Sequence, residues 1–172
     1  MKGFDIARFF QRNPVQAREP EPPSNDVELT DNTNSVAAGG RLRPNPGTTV
    51  LVVDDSKTIQ VVLTRMLSQY GYQTLSAYDG ERAVALTREH KPALVLMDVV
   101  MPGMNGFQAT REIRKDLDPQ ISSIPVIIMS GNAQPTEEFW SIKIKANGFI
   151  AKPFSDEDLL DRIEGQLFKV SE

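Results

Sequence analysis

The sequence predicts an α/β protein with a doubly wound parallel sheet, and three observations carry that prediction. From Thr48 onward, short apolar runs of strand length alternate with amphipathic stretches of helical period. Five such pairs fit into the remaining 125 residues of the 172-residue chain, a density that suits strands joined by crossover helices. The runs are almost continuously apolar, as strands are when a layer covers each face of the sheet. The right-handed crossover rule then favours a doubly wound sandwich.

The elements come in a regular order. "TVLVVD" is the first strand; after it Ile59, Leu63, Met66, Leu67 and Tyr70 recur at helical spacing up to Gly71. "YQTLSA" is the second strand and residues 80–90 its helix; "ALVLMD" is the third, with a helix over 105–116. "IPVIIMS" is the fourth, with a helix over 135–146, and "GFIAK" the fifth, with a helix over 155–168. Ser155 and Asp158 make a capping box for that last helix, and Leu159, Leu160, Ile163 and Leu167 give it an apolar face. His90, the single histidine, closes a helix, where its ring suits the negative end of the dipole.

Before Thr48 the texture differs. Residues 13–47 hold six of the twelve prolines and few large apolar side chains, too few to offset the entropy of ordering, so residues 1–47 are expected to be a disordered extension. Within it, residues 4–12 alternate Phe4, Ile6, Phe9 and Phe10 with Arg8 and Arg12, a pattern that fits a short amphipathic helix for docking to a partner or a membrane surface. The domain proper is expected over 48–170.

Composition removes several classes of function. Nineteen basic against 23 acidic residues give a net charge of −4, with no surplus for a nucleic-acid backbone. Residues 1–47 carry six of each sign, so the whole −4 falls on residues 48–172. Without cysteine there is no disulfide, thiolate nucleophile or thiolate-held zinc. No run is long enough to span a membrane and the N-terminus lacks a signal-peptide core, so a cytoplasmic location is expected.

In doubly wound sheets, sites form at the carboxyl ends of strands. Here the first strand ends in Asp54 and Asp55, the third in Asp98, the fourth in Ser130 and the fifth in Lys152. Two like charges about 4 Å apart repel by about 4 kcal/mol at an effective dielectric near 20, so three clustered carboxylates call for a counter-charge. Mg²⁺ prefers oxygen ligands, which suits Asp55 and Asp98 as ligands and Asp54 nearer the outer shell. Lys152 adds a cation and Ser130 a hydroxyl that can donate to a phosphoryl oxygen. The set fits a carboxylate that accepts a phosphoryl group. Singly, each feature has an ordinary reading: Asp54 and Asp55 as a helix cap, Ser130 and Gly131 as a turn, Lys152 as a surface lysine, Pro102, Gly103 and Gly106 as bend residues.

The motifs "VVDDSKTI", "LMDVVMPGMNG", "VIIMSG" and "AKPFS", in this order, resemble those of the receiver domain of two-component response regulators. The resemblance covers residues 48–170. It implies a flavodoxin-like sheet of order 2-1-3-4-5 with five helices, Asp98 as phosphoacceptor, and Mg²⁺ organised by Asp54, Asp55, Asp98 and the Val100 carbonyl. It also implies phosphoryl contacts from Ser130 and Lys152, a cis Lys152–Pro153 bond, and Phe149 as the switch aromatic. The face of the 135–146 helix, the fifth strand and the last helix would change to regulate a partner protein, with Phe139 and Trp140 as candidate anchors. A sensor histidine kinase or phosphotransfer protein is the implied donor, for a monomer or weak dimer that has no output domain and catalyses only its own phosphorylation and dephosphorylation. Val100 and Asn132 occupy positions that tune dephosphorylation, and apolar Val100 implies slow decay.

"MDVVMPGMNGFQATREIRKD" with Trp140 further resembles stand-alone receivers of chemotaxis-like systems that control type IV pili and twitching motility. Two alternatives stand beside the switch. One is a phosphate sink in a phosphorelay; the other is a phosphohydrolase of the haloacid dehalogenase type, which would want its nucleophile on the first strand with a second Asp two residues on.

Overall fold

The computed structural model describes residue 41 and residues 44–131 and 144–168. The expected helix over 135–146, the amphipathic segment 4–12, Asn132, Phe139 and Trp140 lie outside the described residues, apart from Ile144 to Ala146. Five parallel strands, β1 (Thr49–Val53), β2 (Gln73–Ala77), β3 (Leu94–Asp98), β4 (Val126–Ser130) and β5 (Gly148–Ala151), form one sheet in the order 2-1-3-4-5. The described helices are α1 (Lys57–Gln69), α2 (Gly80–His90), α3 (Gly106–Arg114), the four-residue α4 (Pro119–Ser122) and α5 (Asp156–Leu167). The chain has the predicted flavodoxin-like architecture.

Alternation along each strand explains the two layers. Leu51, Val53, Val95, Met97 and Ile128 point to one face and pack with Ala83 and Leu86 of α2 and Ala109 and Ile113 of α3. Val50, Val52, Leu94, Leu96, Ile127 and Met129 point to the other and meet Leu63, Met66 and Leu67 of α1 and Leu159, Leu160 and Ile163 of α5. Every residue of β3 and β4 is buried, which is why those strands read as unbroken apolar runs.

Helix ends obey local chemistry. Ser56 caps α1, its hydroxyl accepting from the Ile59 amide, and Gly71 leaves the helix at φ +90°, where a side chain would be strained. Ser155 and Asp158 form the expected capping box on α5. His90 is the last residue of α2, and Lys91 comes next in the left-handed region. Helix α4 was not anticipated: Asp118 caps it with Pro119 at the first helical position, and the Arg114 guanidinium donates to the Ser122 and Ile124 carbonyls at 3.0 and 2.9 Å.

Residues ahead of β1 also touch the packed body. Pro44 is buried, and the Arg41 guanidinium lies 2.7 Å from Asp161 and 3.4 Å from Glu164 on α5. These partners are 120 or more residues away in sequence, so composition around Arg41 carried no trace of them. Among the described residues, no helix is long and apolar enough to cross a membrane.

Candidate functional site

The strands run parallel and nearly in register, so the ends of β1, β3, β4 and β5 reach one rim. Asp54 comes directly after β1 and is 1 % exposed. Each of its polar groups is engaged. The amide donates to the Ala77 carbonyl at 3.1 Å and Oδ1 accepts from the Ser56 amide at 2.9 Å. Oδ2 accepts from Lys152 Nζ at 2.6 Å, and the main-chain carbonyl accepts from the Gln60 side chain at 3.2 Å. Asp55 is exposed.

Asp98 ends β3, the central strand, and is 7 % exposed. Gly106 shapes the chain beyond it: a Cβ there would lie 2.0 Å from the Asp98 carbonyl oxygen, so only glycine lets α3 begin against the end of β3. The Gly106 amide donates to the Val99 carbonyl at 3.1 Å, closing the 99–105 loop. In that loop Val100 is 77 % exposed. Gly103, at φ +68°, carries the bend after Pro102.

Ser130 is buried at the end of β4, its carbonyl accepting from the Lys152 amide at 2.7 Å. Lys152 comes after β5 and precedes a cis peptide bond to Pro153, as the resemblance implied. Its ammonium donates to Asp54 at 2.6 Å and to Asp98 Oδ1 at 2.8 Å. Phe149 is half-buried on β5 and packs against the core layer of α2 and α3.

Crowding governs the electrostatics. Carboxylate oxygens of Asp54, Asp55 and Asp98 all lie within 4.8 Å of one another. Burial pushes the Asp98 carboxyl above its ordinary range; Lys152 opposes this and the charge of Asp54 adds to it. Burial disfavours the Lys152 ammonium as well, but its hydrogen bonds to Asp54 and Asp98 prevail and hold its pKa above the usual lysine value. Three carboxylates against one ammonium leave a formal charge of −2, so this donor set fits a divalent cation with a preference for oxygen.

The sequence-predicted residues Asp54, Asp55, Asp98 and Lys152 therefore come together, with Ser130 at the end of the adjoining β4 and the Val100 loop directly after β3. Asn132 lies outside the described residues. Gln60 was missed: it sits among the apolar positions of α1, and a polar residue there gives no signal of what its amide reaches.

Comparison with known proteins agrees with this geometry. The family model for the response regulator receiver domain matches residues 50–164. Protein PilH of Pseudomonas aeruginosa is 47% identical over 118 residues, which cover 69% of this chain and 96% of PilH. Among solved structures, the chemotaxis protein CheY4 of Vibrio cholerae is similar with a TM-score of 0.63 and 29% identity, over 69% of this chain and 97% of that one. The receiver domain of sensor histidine kinase PA1611 of P. aeruginosa, which holds a magnesium ion in its active-site cleft, gives 0.65 and 28%, over 72% and 99%. With its sheet order, its strand-end residues and a family match across most of its length, the chain belongs to the response regulator receiver domain family.

Proposed function

We propose that this chain is a phosphorylation-switched signalling module in which Asp98 takes a phosphoryl group from a phosphohistidine of a sensor kinase or phosphotransfer protein. The observation that carries the reading is a nearly buried Asp98 at the end of the central strand, with Lys152 Nζ at 2.8 Å and two more carboxylates on the same rim. In the transfer, an Asp98 oxygen forms the new O–P bond as the P–N bond breaks and the imidazole leaves with its electron pair. The chain's task is positioning and charge neutralisation. Asp55 and Asp98, with the Val100 carbonyl and Asp54 behind, would hold Mg²⁺, which supplies charge compensation for the phosphoryl oxygens. Lys152 and the Ser130 hydroxyl would donate to those oxygens once the group is in place.

In this reading Phe149 is the switch aromatic, and its reorientation reshapes the face of β5 and α5 toward a partner protein. Exposed, apolar Val100 two residues after Asp98 offers nothing to orient an attacking water, which favours a lasting switch over a phosphate sink. A haloacid dehalogenase-type phosphohydrolase would carry its nucleophile on β1 with a second Asp two residues on; here the two β1 carboxylates are adjacent, and a further carboxylate, Asp98, closes the central strand β3. The similarity to PilH supports a place in a chemotaxis-like system for twitching motility, acting in the cytoplasm.

Backbone NMR with and without a small phosphodonor and Mg²⁺ tests the switch. Shifts extending from the rim to Phe149, β5 and α5 in the wild type, and absent in Asp98→Asn, are expected. Shifts confined to the acidic residues, or persisting in the variant, overturn it.

A further inference from the structure

Gln60 is 2 % exposed in the first turns of α1, yet it is polar. Its Nε2 is ringed by three main-chain carbonyls: Ala77 at 2.6 Å, Val52 at 3.0 Å and Asp54 at 3.2 Å. Its Oε1 is buried and, among the described residues, meets no hydrogen-bond donor. The amide cannot be turned to relieve this, since the oxygen would then face three acceptors. The side chain is therefore committed to presenting its N–H donors to these carbonyls.

The three carbonyls mark the junction where the β1–β2 ladder ends, Val53 opposite Ala77 being its last pair. Beyond it the Asp54 amide uses the same Ala77 carbonyl, so Gln60 prolongs the ladder with a side chain. The Asp54 carbonyl belongs to the peptide unit that joins Asp54 to Asp55. Because that unit is planar, holding its C=O fixes the direction in which Asp55 leaves the strand. Asp54 is anchored independently through Ser56 and Lys152. The exposed Asp55 has no such side-chain anchor among the described residues, so its carboxylate depends on the backbone alone.

We propose that Gln60 is a positioning residue for cation binding: its amide orients the Asp54–Asp55 peptide so that the Asp55 carboxylate joins Asp54 and Asp98 at the separation a divalent cation requires. This rests on the metal-site reading given above.

The test measures Mg²⁺ affinity calorimetrically on the full chain for wild type, Asp55→Asn and Gln60→Met, which matches glutamine in length without a donor, and monitors thermal unfolding without the metal. Gln60→Met is expected to weaken Mg²⁺ binding roughly tenfold, while the rate of phosphorylation by a small phosphodonor at saturating Mg²⁺ stays within about threefold of wild type. A lower melting temperature with unchanged Mg²⁺ affinity overturns the proposal, because a purely structural role predicts that pattern. If Gln60→Met lacks a cooperative transition, Gln60→His decides: it restores a neutral N–H donor and should bind Mg²⁺ within about threefold of wild type, and a tenfold loss overturns the proposal. Failure of the underlying reading looks different: wild type binds no Mg²⁺, or Asp55→Asn binds it undiminished.

Discussion

Lys152 Nζ stands 2.8 Å from Asp98 Oδ1, so the end of β5 supplies the counter-charge for the carboxylate that closes β3. The same ammonium reaches Asp54 at 2.6 Å, and one cation therefore serves two buried carboxylates. Under-compensation of negative charge makes the rim receptive to a dication and makes Asp98 costly to keep ionised.

That cost gives a signed prediction for Asp98→Asn. The folded state raises the Asp98 pKa, so between the unfolded and folded values the native protein binds more protons and loses stability as pH rises. The asparagine variant lacks this loss. Its melting temperature should exceed that of wild type by roughly 2–5 °C near neutral pH, with the gain shrinking as pH falls into the ordinary carboxylate range. Calorimetry across that range checks it, and a gain that grows toward acid would contradict it.

Removing the cation has the opposite character. Lys152→Met leaves the Asp54 and Asp98 carboxylates without their ammonium and should destabilise the metal-free protein by about 2 kcal/mol at neutral pH. Mg²⁺ should then bind more tightly than to wild type, because the rim is one charge more negative, while phosphorylation slows roughly tenfold or more for want of a donor to the phosphoryl oxygens. Tighter metal with slower chemistry separates Lys152 from a merely structural lysine; calorimetric titration and initial rates measure the two.

Gly106 is a steric requirement of the β3 terminus. In Gly106→Ala the new methyl group would sit 2.0 Å from the Asp98 carbonyl oxygen, and backbone must move to admit it. A loss of about 2–3 kcal/mol in urea unfolding is expected. Val100→Asn, two residues from Asp98 and exposed, should leave stability within about 0.5 kcal/mol of wild type. If that side chain governs access of water to the phosphoryl group, decay of the purified phosphoprotein should quicken several-fold.

Much of this arrangement was legible in the sequence because it is local or periodic. "ALVLMD" read as a doubly buried strand because every residue of β3 is in fact covered, and the Asp98 at its end stood out against that background. The Ser155–Asp158 cap could be read because both partners lie within one turn. What escaped depends on distant contacts or on atoms that composition does not report. Arg41 looked like part of a linker because its partners on α5 are far away in sequence. Helix α4 carried its own signals in Asp118 and Pro119, but four residues are too few for periodicity to register. Gln60 occupies a core-facing position of α1, where its meaning lies in which carbonyls its nitrogen meets.

The central claim is that Asp98 is the phosphoacceptor of a switch, and intact mass tests it most directly. Wild type and Asp98→Asn are incubated with a small phosphodonor and Mg²⁺. One stably added phosphoryl group is expected on the wild type and none on the variant. An unmodified wild type, equal modification of both proteins, or sustained turnover of phosphate esters would contradict it.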